Sequence, residues 1–368
     1  MIKKVLFHIN SLGKGGAERV VSVLADEMSA QGIEVLLATE WKAKDEYSVS
    51  EKVHRFHVGL KEEEESLSGA KKRSIREKRL RGLFIKEKPE VVFSFCRNAN
   101  YRAILASRGT GVPVIYSVRS DPSVDYASQK QKILSSVLYK KAAGGVFQTT
   151  DARDYFPEEI RANSKIILNP VDKKYEKTLS PKERRKAIVA VGRFHDAKDH
   201  MTLIRGFERV MEKFPEYNLE LYGDRSEDNT VFQVKEHVKA HKLGDRVLFM
   251  GNHDDLENCI ADAALFVLSS KYEGMPNALM EAMVMGLPCI ATDCPCGGPR
   301  TLIEDGENGL LTDVGDDELM GIAIDKMLSY PEEADRIGKN ARRLAERVAP
   351  AAIAGEWLSS SDECIAGK

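Results

Sequence analysis

The sequence predicts an α/β protein built from two doubly wound parallel sheets, and three observations lead there. Its 368 residues exceed one ordinary core and suit two domains of roughly 170 residues each. Short apolar runs alternate with helix-length amphipathic segments along both halves, the signature of repeated βα units. A polar, lysine-rich stretch at 173–186, with Pro181 and little apolar content, separates the halves as an inter-domain linker does. The expected division is therefore two Rossmann-like domains at 1–172 and 187–348, the linker between them, and a last helix at 349–368.

Composition narrows the class of function. Hydrophobic and charged contents of 42% and 30% describe a soluble globular chain, and a net charge of −2 argues against a general nucleic-acid binder while leaving room for a local basic patch. The six cysteines lack paired zinc spacing, and Cys294-Pro295-Cys296 reads as a Pro-containing loop rather than a metal or redox pair. No secretory leader pattern follows Met1, and no run of 18 apolar residues could span a membrane, so a reducing cytoplasm is expected.

Taken in order, 4–10 (KVLFHIN) is a buried strand, and Ser11 to Gly16 forms a glycine-rich turn into a helix at 17–30. Gly15 and Gly16 let backbone approach a ligand at a helix N-terminus, although the third glycine of G-x-G-x-x-G is missing and a plain strand-to-helix turn reads equally well. Strands follow at 34–39, 53–58, 90–95, 114–118, 145–149 and 165–168. Between two of them, 71–88 holds nine Lys/Arg against two Glu, with Leu80, Leu83 and Phe84 on one side. Such a basic amphipathic helix suits an anionic membrane surface or a polyphosphate, through Lys72, Arg73, Arg76, Arg79 and Arg81; the competing reading is a solvated helix packed on the sheet. After strand 114–118, Arg119 offers a forked donor for phosphate or carboxylate, or an ion pair to Asp121.

The second half opens with strand 187–191 and the loop Gly192-Arg193-Phe194-His195-Asp196-Ala197-Lys198. A basic pair, Arg193 and Lys198, where a strand ends and a helix begins can neutralise a departing diphosphate. Strands 219–222 and 247–250 end in Gly223-Asp224 and Gly251-Asn252, where a base and ribose could lie against backbone. Then 264–292 reads strand, loop, helix, strand. Gly274, Met275, Pro276 and Asn277 form a turn into a helix start, where the backbone N–H groups of the non-proline residues favour an anion. Glu273 and Glu281, with seven residues between them, can flank that anion with acceptors for hydroxyl groups, unless both are merely solvated acids. Beyond 316 the chain is helical, broken at Pro331 and Pro350.

Glu273-Gly274-Met275-Pro276-Asn277-Ala278-Leu279-Met280-Glu281 resembles the E-x7-E signature of retaining nucleotide-sugar glycosyltransferases of family 4, which have the GT-B fold. The loop Gly15-Gly16-Ala17-Glu18, the Gly192-Arg193 to Lys198 segment, Gly297-Gly298-Pro299-Arg300 and 305–309 are similar to that family too. Arg119 departs from it, standing where a His is frequent, and Thr301 stands where a Glu is common. The resemblance implies two domains facing across a cleft, with the last helix, around Trp357, crossing back to the first. It implies a nucleotide-sugar donor, UDP-linked, in the second domain, Glu281 on its ribose, Glu273 on a sugar hydroxyl, and Gly15 and Gly16 near its phosphates. The first domain would present a glycan acceptor, carried on a polyprenyl diphosphate at the inner face of the cell membrane, with Arg119 near a diphosphate. No cofactor and no metal are expected, in keeping with the lack of a D-x-D pair in a suitable loop. The alternatives are a non-catalytic nucleotide-sugar-binding protein and transfer to a non-lipid acceptor.

Overall fold

The computed structural model describes residues 2–176, 184–224 and 228–366, so part of the expected linker, 177–183, lies outside the described residues. The chain forms two compact units, Met1–Pro170 with Val348–Lys368, and Val171–Arg347.

The first unit holds a seven-stranded sheet: β1 (Lys4–His8), β2 (Glu34–Thr39), β3 (His54–His57), β4 (Val91–Phe95), β5 (Val114–Ser117), β6 (Gly144–Phe147) and β7 (Ser164–Ile166). All neighbours are parallel, in the order β3-β2-β1-β4-β5-β6-β7, with Val5 facing Val35 on one side and Val91 on the other. Helices cover both faces of such a sheet, which is why β1, β2 and β4 read as unbroken apolar runs rather than alternating ones. The second unit repeats the plan with β8 (Arg185–Val191), β9 (Asn218–Tyr222), β10 (Val247–Gly251), β11 (Ala263–Leu268), β12 (Cys289–Thr292) and β13 (Leu310–Thr312), ordered β10-β9-β8-β11-β12-β13. The strand order reverses between β1 and β4 in one sheet and between β8 and β11 in the other. Those reversals open a crevice at the carboxyl ends of the strands.

The edge strand β13 is absent from the sequence reading, because three residues after Gly309 are too short to carry a period. Pro331 and Pro350 begin the helices Pro331–Ala341 and Pro350–Ala366, where a missing N–H costs nothing. The helix Pro350–Ala366 belongs to the first unit. Its Trp357 is buried edge-on to Phe93 (5.0 Å between centroids) and stacked on Phe95 (5.3 Å). No helix among the described residues is long and apolar enough to cross a membrane.

Candidate active site

In the second unit the crevice at the β8/β11 reversal is knitted from three loops. After β8 the chain makes a tight turn, Asp196–Lys198, held by the Ala197 amide donating to His195 Nδ1 at 3.1 Å, and Asp199 sits at φ 43°. An aspartate tolerates that left-handed conformation better than a branched residue would. After β11 the Lys271 amide donates to the Ala197 carbonyl at 2.8 Å, and the Ser269 hydroxyl to the Lys198 carbonyl at 3.0 Å. After β12 the Pro295 carbonyl accepts from the Glu273 amide at 2.8 Å.

This stitching places Lys198 against Glu273, 75 residues later, as an ion pair whose carboxylate also accepts from the Ser270 hydroxyl at 2.7 Å. The side chains are 27% and 13% exposed, so the pair is sheltered yet reachable. Behind it His200 is buried against Phe194, ring on ring at 4.5 Å. Burial, with the neighbouring Lys198 charge, pushes its imidazole down to about 4, so it is uncharged at neutral pH. Cys294 is buried on the other loop, its thiol pushed up to about 12 by burial and by Glu273, which leaves it an inert packing group rather than a nucleophile. Cys294 and Cys296 are both free thiols.

Beyond Glu273, Gly274 to Pro276 lead into the helix Asn277–Val284, and Glu281 lies buried a turn inside it. Gly298 makes the loop possible: a Cβ there would stand 2.1 Å from the Gly274 carbonyl oxygen. Next along the sheet, Gly223 at φ 142° presses on the Gly192 carbonyl, which a Cβ would meet at 2.1 Å, while its amide donates to Gly251 at 2.8 Å. Gly192, Gly223 and Gly251 thus form a continuous backbone rim. Asn252 reaches Asp224 across it at 3.5 Å, and Arg193 is exposed on it. The arrangement offers an anion a lysine, a helix N-terminus and bare backbone, with carboxylates on either side.

The first unit places its expected residues differently. Gly15 is the N-cap of the helix Gly16–Ala30. Arg119 makes no pair with Asp121, which caps the turn at Pro122 by accepting from the Ser123 amide at 2.8 Å. Instead Arg119 donates to Ser117 (3.2 Å) and to Asn169, and lies 5.3 Å from the centre of the Phe95 ring. Burial pushes its guanidinium down to about 10, still cationic at neutral pH.

The basic segment is the helix Gly69–Glu87, with Leu80, Leu83 and Phe84 buried. Several of its cations face inward. Arg79 holds Gly59 and Glu64 (2.8 Å), Arg81 caps the carbonyls of Ala106 (3.2 Å) and Arg108, Arg76 approaches Glu40 (3.6 Å), and Lys72 pairs with Glu65 (3.1 Å). Glu40 is almost wholly buried between Arg76, Arg102 and His8, the last pushed down to about 3 by burial and by Arg102. Arg73 remains exposed.

Between this helix and the helices Arg97–Ser107 and Gln129–Tyr139 opens a cavity of about 1030 Å³, bordered by Arg73, Arg76, Arg97, Arg102, Arg108 and Lys130. One wall is apolar, and Leu134 and Val137 extend it to an exposed ridge with Ile133. Arg97, Arg102 and Lys130 escaped the sequence reading because they sit on two other helices with no local run of charge. Ser270 escaped it for a similar reason, since a serine ending an apolar strand carries no signal of its own.

Comparisons with known proteins place the chain. The family described as glycosyl transferases group 1 matches residues 171–344, and the one described as glycosyltransferase family 4 matches residues 14–175. An uncharacterised glycosyltransferase of Haemophilus influenzae is 26% identical over 97% of this chain and 99% of its own. The N-acetylgalactosamine-N,N'-diacetylbacillosaminyl-diphospho-undecaprenol 4-alpha-N-acetylgalactosaminyltransferase of Campylobacter jejuni is 27% identical over 95% and 96%. Among solved structures, Anabaena HepE in complex with UDP and glucose has the same fold, with a TM-score of 0.81 at 19% identity over 98% of this chain and 100% of that one. The two family matches together run from residue 14 to residue 344, through the loop of Lys198 and the helix of Glu281, and the chain belongs to glycosyltransferase family 4.

Proposed function

We propose that the protein transfers a hexose or N-acetylhexosamine, with retention, from a UDP-sugar to a glycan carried on a polyprenyl diphosphate, in bacterial glycoprotein-glycan, capsule or exopolysaccharide synthesis. The observation that carries the reading is the Lys198–Glu273 pair, set with Ser270 at the reversal point of the second sheet. As the donor's C1–O bond loosens, positive charge develops on the sugar ring and negative charge on the departing diphosphate. Lys198, Arg193 and the amides of Gly274, Met275 and Asn277 meet the latter, stabilising charge that exists chiefly in the transition state. Glu273 accepts from a sugar hydroxyl and Glu281 from the ribose, while Gly223, Asp224, Gly251 and Asn252 border the base. The UDP complex of HepE and the undecaprenol-linked acceptor in the name of the Campylobacter enzyme support the choice of donor and acceptor.

Cationic side chains and helix amides do here what a metal does in other transferases. Transfer therefore continues at an undiminished rate in EDTA, assayed well below the melting temperature. Activity abolished by EDTA and restored by magnesium or manganese would overturn this.

For the acceptor, the arginine-lined cavity of the first unit suits a diphosphate, and the ridge of Ile133, Leu134 and Val137 suits hydrocarbon, so the protein works at the inner face of the membrane while its body stays in the cytoplasm. Arg119 and the Gly15–Gly16 turn lie at the carboxyl edge of the same sheet and serve acceptor or donor phosphates. Each cation beside an anionic surface contributes about 1 kcal/mol. The double reversal Arg73→Glu with Lys130→Glu, both exposed, lowers binding to anionic vesicles by about tenfold or more. It slows transfer to a lipid-linked acceptor and leaves a short water-soluble acceptor nearly unaffected. Equal loss on both acceptors would make the cavity a site for the glycan itself, and no loss on either would remove it from function. Arg79 and Arg81 are unsuitable for this test, since reversing them breaks contacts that hold loops.

A further inference from the structure

We infer that Glu208, His237 and His241 form a binding site for a late first-row divalent cation, zinc above all, which clamps two helices of the second unit away from the reacting groups. The inference is independent of which sugar or acceptor the enzyme uses. His237 and His241 are four residues apart at the end of the helix Thr230–Ala240, so both project from one face, with ring centres 4.0 Å apart. Glu208 ends the neighbouring helix His200–Glu208 and lies between the two rings: one carboxylate oxygen is 2.9 Å from His237 Nε2, the other 2.6 Å from His241 Nδ1. The three donor atoms all lie within 4.8 Å of one another.

Those distances are close to what a small cation demands. Zinc binds imidazole nitrogen at about 2.0–2.1 Å in a tetrahedron, which sets ligand atoms about 3.4 Å apart. The carboxylate oxygens, now 2.9 and 2.6 Å from the ring nitrogens, must draw back by less than the length of a bond. In the ion-free arrangement the ring nitrogens facing Glu208 carry the hydrogens. On metal binding a neutral ring moves that proton to its other nitrogen, and a protonated ring releases one. Two imidazoles and one carboxylate favour zinc, nickel, copper or cobalt over magnesium and calcium, which prefer oxygen. His237 and Glu208 are sheltered, with side chains 13% and 20% exposed, whereas His241 is half exposed. A water or an outside ligand can therefore complete the shell.

The consequence lies in what the two helices connect. His200–Glu208 begins two residues after Lys198, and Thr230–Ala240 follows the Gly223–Asp224 rim. At 1.5 Å per residue, nine residues put the cation about 13 Å along the helix from the Lys198 loop. It can brace the loops that hold the donor without entering the chemistry.

The test uses full-length protein dialysed free of metal and titrated calorimetrically with zinc chloride and, separately, magnesium chloride. One equivalent of zinc binds, the melting temperature rises with zinc, and magnesium does neither. Cobalt gives a visible absorption band of tetrahedral intensity. His237→Ala and His241→Ala each weaken zinc binding about 100-fold and abolish the band, at least the loss seen when groups outside the ligand shell of a metal site are removed. His241→Ala keeps the fold, its side chain being half exposed, and an unchanged circular dichroism spectrum checks this. His253→Ala, in the other His/Asp/Cys grouping at His253, Asp255 and Cys259, leaves binding unchanged. Stoichiometric binding that survives both His237→Ala and His241→Ala, or no saturable zinc binding at all, overturns the assignment.

Discussion

Replacing Lys198 by alanine lowers turnover by about 100- to 1000-fold while the protein remains folded. The lysine holds no core: its stem runs along Gly192 and its ammonium meets Glu273 in a sheltered but open crevice. Removing it leaves the Glu273 carboxylate with the Ser270 hydroxyl and the surrounding solvent, so the cost to stability is small beside the cost to rate. The cost to rate is large because the departing diphosphate gains charge as the bond breaks, and a fixed cation nearby is worth more in the transition state than in the ground state. The loss should therefore fall on kcat with saturating donor, with a smaller change in KM. Arg193→Ala moves in the same direction and by less, because its exposure lets water share its work. Turnover of Lys198→Ala within a few-fold of the unmodified protein, with an unchanged melting curve, would remove the lysine from the mechanism.

Trp357→Ala destabilises the first unit by about 3–5 kcal/mol, the usual cost of emptying a large aromatic site in a close-packed interior. Trp357 is 1% exposed and wedged between Phe93 and Phe95, and its indole Nε1 has no partner among the described residues, so packing alone holds it there. Phe95 in turn carries the Arg119 guanidinium, so loosening the indole reaches a residue of the proposed acceptor site. Amide exchange in β4, which contains both phenylalanines, reads the effect locally: its opening free energy should fall by that amount, with Trp357→Phe losing clearly less. A fall below about 1 kcal/mol would mean that the last helix is a peripheral attachment.

Much of this architecture is legible in the sequence, and the reason is that local signals carry it. The strands are short apolar runs bounded by glycine, proline and polar residues, and the seven-residue interval between Glu273 and Glu281 spans a loop and a helix start whose shape local residues dictate. Prolines at 331 and 350 announce helix starts by the same kind of local chemistry. Thus the sequence by itself determined the strands, the two-part plan and the candidate loops.

Only the tertiary structure decided which loops meet. Lys198 finds Glu273 because β8 and β11 pair at the reversal of strand order, a fact about the sheet that no stretch of residues records. Nor does the basic run reveal that Arg76, Arg79 and Arg81 turn inward while Arg97, Arg102 and Lys130 from other helices complete the cationic cavity. The histidines at 237 and 241 likewise become a candidate metal site only when Glu208 is brought beside them from the neighbouring helix. Periodicity registers which way a side chain faces relative to its own element, whereas contacts between elements depend on strand order and crossovers, whose energetics are spread over the whole core.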